Sequence, residues 1–258
     1  MKNNNVQVYF IGAGPGDPDL ITIKGRSLIE RADLVLYAGS LVPSEMVTCA
    51  KKDAIVMDSS GMTLGETHAH IVKTVKDNNG MVARVHTGDP SLYGAIHEQI
   101  NLLERDGISY EIVPGVSVAF AAAARARLSF TLPESAQSLI LTRVSGKTHM
   151  PEKEALRLLA SHGCSMAIYL SAGNAEKIKE ELLSGGYDEN TRIFVGYRIG
   201  WPDEKTFFST LSTLTEDVKN ANIKRQAVFL VCPHRENIPP SRLYDQQFSH
   251  GFRKADKK

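Results

Sequence analysis

Val6-Gln7-Val8-Tyr9-Phe10-Ile11-Gly12-Ala13-Gly14-Pro15-Gly16-Asp17-Pro18 passes from a short apolar run straight into a loop of three glycines and two prolines. A run this short, closed by such a loop and followed by a helical pattern, opens a strand–loop–helix unit. The unit recurs. Apolar runs at 34–37, 54–57, 81–86 and 110–113 alternate with helical stretches at 20–31, 64–78, 93–105 and 117–127. Strands alternating with helices predict a parallel sheet with helices on its faces. Within 93–105, Ile96, Ile100 and Leu103 recur at helical spacing, and Gly107 suits the position just past a helix end.

From 128 to 136 the chain has no clear period and holds Pro133, which marks a linker. The pattern then resumes, with strands expected at 138–142, 166–170, 192–197 and 227–231, and an extra edge strand at 205–210. Helices fit at 152–161, 174–184 and 215–221. The expected architecture is two α/β domains, 1–127 and 137–235, each with a largely parallel or mixed sheet flanked by helices. A polar tail, 236–258, is expected to be loosely held.

The 258 residues suffice for such a pair of domains. Lys plus Arg is 30 against 29 for Asp plus Glu, so the net charge of +1 gives no global attraction to nucleic acid or anionic membrane. Cys49, Cys164 and Cys232 form no C-x-x-C pair, which fits a reducing cytosol and argues against a disulfide framework or a zinc site. The first apolar run is too short for a signal peptide, and no segment approaches the ~18–20 apolar residues of a membrane span. A cytoplasmic protein is expected. His68 and His70, two apart, make a poor metal pair on a helix, and no metal is expected. The sequence holds neither a G-x-S-x-G elbow nor a P-loop.

Three loops carry the chemistry. The first resembles a dinucleotide-binding turn but breaks its G-x-G-x-x-G pattern at Asp17, and Asp33 precedes the second strand instead of lying beyond its carboxyl end. A plain capped turn, with Asp17 or Asp19 as the cap, explains this loop equally well. The second is Val85-His86-Thr87-Gly88-Asp89-Pro90-Ser91-Leu92-Tyr93-Gly94. Here Gly88 lets a ligand touch the backbone, Asp89 offers an acceptor for a ribose or amino group, and Pro90 suits a first helical turn. The third, Val113-Pro114-Gly115-Val116-Ser117-Val118, opens an alanine-rich helix, and close packing of strand on helix explains its small residues as well as a ligand does. All three follow strands of one expected sheet and would line its carboxyl edge, where open α/β sheets bind ligands.

In this order the loops resemble the tetrapyrrole methylase family, over residues 6 to about 232. Residues 12–22 match G-x-G-P-G-D-P-x-L-x-T, residues 88–94 match G-D-P-x-x-Y-G, and residues 114–117 match P-G-[IV]-[ST]. The stretches 37–42, 84–90 and Trp201-Pro202-Asp203-Glu204 are similar to the branch acting on precorrin-4 or cobalt-precorrin-4.

The resemblance implies an S-adenosylmethionine-dependent C-methyltransferase of cobalamin biosynthesis, methylating that macrocycle at ring carbon 11 and releasing S-adenosylhomocysteine. It implies a homodimer, with the active-site cleft between the two domains of each chain. Cofactor contacts fall on Gly88, Asp89, Pro90, Tyr93, Ser117, Val118, Leu170, Ile199 and Val231. Substrate contacts fall on Gly14, Pro15, Gly16, Asp17, Arg84 and His86, with Arg26, Arg143 and Lys147 as further partners for the substrate's carboxylates. Asp17, His86 and Tyr93 are polar groups in the right loops, and none is singled out as a catalytic base. The alternative is a methyltransferase of the same fold acting on another tetrapyrrole or on a macromolecule, a protein side chain or an rRNA ribose.

Overall fold

Strand β1 (Val8–Gly12) lies between two parallel neighbours, β4 (Val82–His86) and β5 (Tyr110–Val113). Strand β2 (Leu34–Tyr37) pairs with β4, and β3 (Ile55–Asp58) with β2, giving the parallel order β3-β2-β4-β1-β5. The computed structural model describes residues 6–146, 148–232, 241 and 245–254.

Alternation along the strands sends successive side chains to opposite faces. Val8, Phe10, Leu34, Leu36 and Val82 pack with Ile71, Val75 and Leu103 on one face. Ile11, Val35, Ala83, Val85 and Val113 pack with Leu28 and Ile29 on the other. These helical residues come from α1 (Ile23–Arg31), from α2 (Leu64–Val72) with the π turn Lys73–Asp77 that continues it, and from α3 (His97–Arg105). Thr22 caps α1, and a Thr63–Glu66 capping box starts α2. Gly107, at φ +68°, closes α3 as its position predicts.

The second sheet has the order β6-β7-β10-β8-β9, from β6 (Leu139–Arg143), β7 (Ser165–Tyr169), β8 (Arg192–Tyr197), β9 (Lys205–Thr210) and β10 (Ala227–Val231). β6 and β7 are parallel, whereas β10 runs against both β7 and β8. Its core gathers Met166, Ile168, Val195 and Phe229 with Leu156 of α5 (Leu156–Ala160), Ile178 and Leu182 of α6 (Ala175–Ser184), and Leu214 and Val218 of α7 (Leu214–Asn220).

The chain divides into two compact units, Met1–Ala121 with Arg198–Lys205, and Ala122–Tyr197 with Thr206–Lys258. The division therefore falls inside α4 (Val118–Ala126), ahead of the stretch 128–136 expected to link the domains. That stretch is packed into the second unit. Phe130 is buried, its carbonyl accepts from Ser165 Oγ at 2.6 Å, and Leu132 bridges Ala136. Helix α3 begins later than its periodicity predicts, because Tyr93 (φ 57°) and Ala95 (φ 48°) take left-handed backbone that a right-handed helix cannot contain. The 152–161 helix splits at Ala155, whose extended backbone separates a 3₁₀ turn from α5. Lys147 and most of the polar tail lie outside the described residues.

Candidate active site

Because β4, β1 and β5 are adjacent, their three loops meet at the carboxyl edge of the first sheet. Ala13 N donates to His86 O at 2.8 Å, and Gly14 and Gly88 exchange backbone hydrogen bonds at 3.2 and 2.7 Å. Gly12 and Gly115 touch face to face. A Cβ on Gly115 would lie 2.1 Å from Gly88 O, and one on Gly12 would lie 2.6 Å from Gly115 Cα. Glycine is required at both positions because backbone fills the side-chain space.

Gly88 differs. Its φ of +62° demands glycine, yet the nearest described atom to a Cβ there is Ser117 Cα at 3.8 Å. The face over its Cα is therefore free of overlap, a cradle of backbone with room for a side chain that the backbone angle forbids. Beside it, Asp89 Oδ2 accepts from Gly115 N at 3.0 Å and Oδ1 accepts from Ser91 N at 2.8 Å. This carboxylate ties the second loop to the third. Asp89→Ala is therefore expected to cost about 1.5–3 kcal/mol in urea unfolding, the range for hydrogen bonds to a charged acceptor. Asp89→Asn, which keeps one acceptor oxygen, should lose less. Equal stability of all three proteins would rule out the tie. Pro90 is buried, Tyr93 is exposed, Ser117 is buried and Val118 half-buried at the start of α4.

The first loop is covered by the segment Arg198–Lys205. Asp17 Oδ1 accepts from Asp19 N at 3.0 Å, so Asp17 caps the 3₁₀ turn Pro18–Leu20. Gly14, Pro15 and Gly16 are buried. Trp201 Nε1 donates to Pro15 O at 3.2 Å, and a Cβ on Gly16 (φ +151°) would lie 2.4 Å from Trp201 Cδ1. Gly200 packs on Asp17 N, and Ile199, 2% exposed, turns its carbonyl toward Gly16. The Arg198 guanidinium sits 4.0 Å over the Trp201 ring and pairs with Asp203 at 2.5 Å. Arg198, Trp201, Pro202 and Asp203 wall a cavity of about 420 Å³ whose other side includes Tyr37, Gly39 and Asp58. Asp58 accepts from Ser60 N and Gly39 N, which lower its pKa. The stretches 37–42 and Trp201-Pro202-Asp203-Glu204, which carry the resemblance to one branch of the family, meet in the lining of this cavity.

Arg84 and His86 share a face of β4, directed inward. The Arg84 guanidinium, 8% exposed, donates to Ser59 Oγ at 2.8 Å, Gln99 Oε1 at 3.0 Å and Leu36 O at 3.3 Å. Burial lowers its pKa to about 10. His86 lies 5.8 Å from the Phe10 ring, and its Nε2 has no partner among the described residues. Burial first, and the Arg84 charge second, hold its pKa at about 3, so the imidazole is neutral at physiological pH. Arg26 pairs with Glu30 at 3.1 Å, and Arg143 donates to Thr148 O and His149 O.

In the second unit, Leu170 follows β7 with left-handed backbone and is 66% exposed. Val231 is not brought to the same edge. Because β10 is antiparallel, Val231 pairs with Met166 and Ile193 near the starts of β7 and β8, and Ala227 is the residue opposite Tyr197. The Val231 side chain is buried in the core. Among the described residues, no group of three or more His, Cys, Asp or Glu side chains is placed to hold a metal ion. His68 pairs instead with Asp106 at 2.7 Å. No helix of the described residues is long and apolar enough to cross a membrane.

Residues 7–215 match the family described as Tetrapyrrole (Corrin/Porphyrin) Methylases. The chain is 47% identical to a cobalt-precorrin-4 C(11)-methyltransferase of Methanocaldococcus jannaschii, over 99% of each sequence. It is 43% identical to a precorrin-4 C(11)-methyltransferase of Pseudomonas aeruginosa, over 96% of this chain and 99% of that one. The X-ray structure of a cobalamin biosynthetic enzyme, cobalt precorrin-4 methyltransferase, superposes with a TM-score of 0.85 at 45% identity, covering 88% of this chain and 94% of that one.

Proposed function

The chain belongs to the tetrapyrrole (corrin/porphyrin) methylases, and from that premise we propose that it methylates precorrin-4 or cobalt-precorrin-4 at ring carbon 11. The observation that carries this proposal is the 47% identity to a C(11)-methyltransferase over both units. The site geometry agrees with it, since the joined loops leave one open backbone cradle, at Gly88. S-adenosylmethionine, when bound, supplies an electrophilic methyl group on its sulfonium.

The protein's task is then alignment. Gly88, Asp89 and Pro90 offer a rigid backbone surface for the cofactor, with Tyr93, Ser117 and Val118 beside it. Holding both reactants in near-attack geometry supplies on the order of 7–11 kcal/mol of barrier lowering. The neutral, buried His86 neither repels the sulfonium nor carries a charge that must be desolvated. A homodimer in the cytoplasm completes the proposal, and the mass from sedimentation equilibrium tests the assembly.

The direct test is transfer of a labelled methyl group to precorrin-4 and to cobalt-precorrin-4, with the new carbon located by NMR. Label at carbon 11 is expected. Transfer to neither macrocycle would refute the proposal, and unequal rates would tell which form is preferred. At the cradle, Gly88→Ala is expected to lose about 1–2 kcal/mol of stability to left-handed strain while remaining folded. Its calorimetric affinity for S-adenosylhomocysteine should fall by about tenfold or more, since one good contact is worth roughly 1.4 kcal/mol. Unchanged affinity would move the cofactor away from Gly88.

A further inference from the structure

We propose that Trp201 is a positioning residue for the macrocycle, locking the first glycine loop on one side and walling the substrate cavity on the other. This rests on the function proposed above. The motif Gly14-Pro15-Gly16 is the part of that loop expected to meet substrate, yet all three residues are buried. What lies over them is the 198–205 turn. Its indole N–H holds Pro15 O, its ring edge occupies the space a side chain on Gly16 would need, and Gly200 closes on Asp17 N.

The turn is itself fixed. Trp201 N donates to Arg198 O at 2.9 Å, Glu204 N to Trp201 O at 3.0 Å, and Gly200 N to Glu204 Oε2 at 2.7 Å. The Arg198 guanidinium stacked on the indole sets the ring's plane. The indole thus reaches the same cavity as Pro202, Tyr37 and Gly39. At about 420 Å³ the cavity takes a part of a tetrapyrrole, such as one pyrrole ring with its arms, and is within the range of small-molecule sites. The part of the indole that lines the cavity, beside Pro202, gives a macrocycle arm an apolar surface to rest on.

The test compares Trp201→Ala, Trp201→Phe and Gly16→Ala with the unaltered protein. Steady-state methyl transfer gives KM and kcat for the macrocycle, and calorimetry gives the affinity for S-adenosylhomocysteine. Trp201→Ala is expected to raise the macrocycle KM by about tenfold or more, with kcat and cofactor affinity changed by less than about threefold. Trp201→Phe keeps the ring and should recover most of the KM. Gly16→Ala pushes the indole aside and should reproduce the alanine variant's KM, which carries the test if Trp201→Ala does not fold. An unchanged macrocycle KM in Trp201→Ala, or in Gly16→Ala if only that variant folds, would overturn the proposal. So would a parallel loss of cofactor affinity. Absence of methyl transfer by the unaltered protein would instead remove the proposed function, and the positioning role with it.

Discussion

Gly115→Ala is expected to destabilise the protein by about 3 kcal/mol, the upper end of overpacking costs, and to abolish cofactor binding. The new methyl group would sit 2.1 Å from Gly88 O and 2.7 Å from Gly12 Cα. Both are backbone atoms, one in the loop after β4 and one at the end of β1, so no rotamer change relieves the overlap. The strands would have to part, and the Gly14–Gly88 pairing that shapes the cradle would go with them. Gly65→Ala is the control. It lies in α2 with nothing described within 4 Å of the new methyl, and should be neutral or stabilising by up to ~1 kcal/mol. Urea unfolding and calorimetry check both proteins. A folded Gly115→Ala protein with normal affinity would mean that the loops separate without consequence.

The second large effect is one of pH. The His86 pKa is held at about 3 by burial and by Arg84, whereas the unfolded chain's histidine titrates near ~6.5. Between those values the unfolded state binds the extra proton, so stability falls as pH falls. The full contribution is present above about pH 6.5 and declines steadily below it, by about 1.4 kcal/mol per pH unit from this group. The total over the window is of the order of a few kcal/mol. Asp33, held low by Lys51 and by the Met81 amide, and Asp106, held low by His68, lose their contributions only below the ordinary carboxylate range. Glu66 and Asp58 are held low as well, so His86 dominates the slope in the upper part of the window, from about pH 6.5 to 5.5. His86→Phe should flatten the unfolding free energy across it, and an unaltered slope in that variant would assign the effect elsewhere.

Much of the fold was legible because each strand is a short apolar run closed by a loop. The first sheet could be read almost residue by residue from 34–37, 81–86 and 110–113. What pattern alone did not carry was direction and backbone sign. Ala227–Val231 is apolar throughout and buried on both faces, so nothing within it says that β10 runs antiparallel. Val231, a cofactor contact that the family resemblance implies, lies near the starts of β7 and β8, while Leu170 follows the end of β7. Tyr93 offers another case, since its spacing suits a helix and only tertiary packing places it in left-handed backbone. The three glycine loops were legible as a group, while the roles of individual residues were less so. Asp89 reads as a ligand acceptor and is engaged by two backbone amides. Arg84 reads as a carboxylate partner and is buried against neutral acceptors. A residue type announces a capacity, and the neighbours decide how much of it is already taken.

The first unit is discontinuous in the chain, being closed by Arg198–Lys205 after most of the second unit has passed. During synthesis at 5–20 residues per second, the ribosome would take roughly 4–17 s to go from the end of the first segment to the end of the second. For that interval the Pro15 carbonyl and the surface around Gly16 lack their indole cover. The nascent sheet can pair its five strands early, but its first glycine loop acquires its final cover only late in translation. Chains stalled or truncated before residue 198 would therefore display this loop bare, a natural handle for chaperones or proteases that distinguish unfinished copies from finished ones.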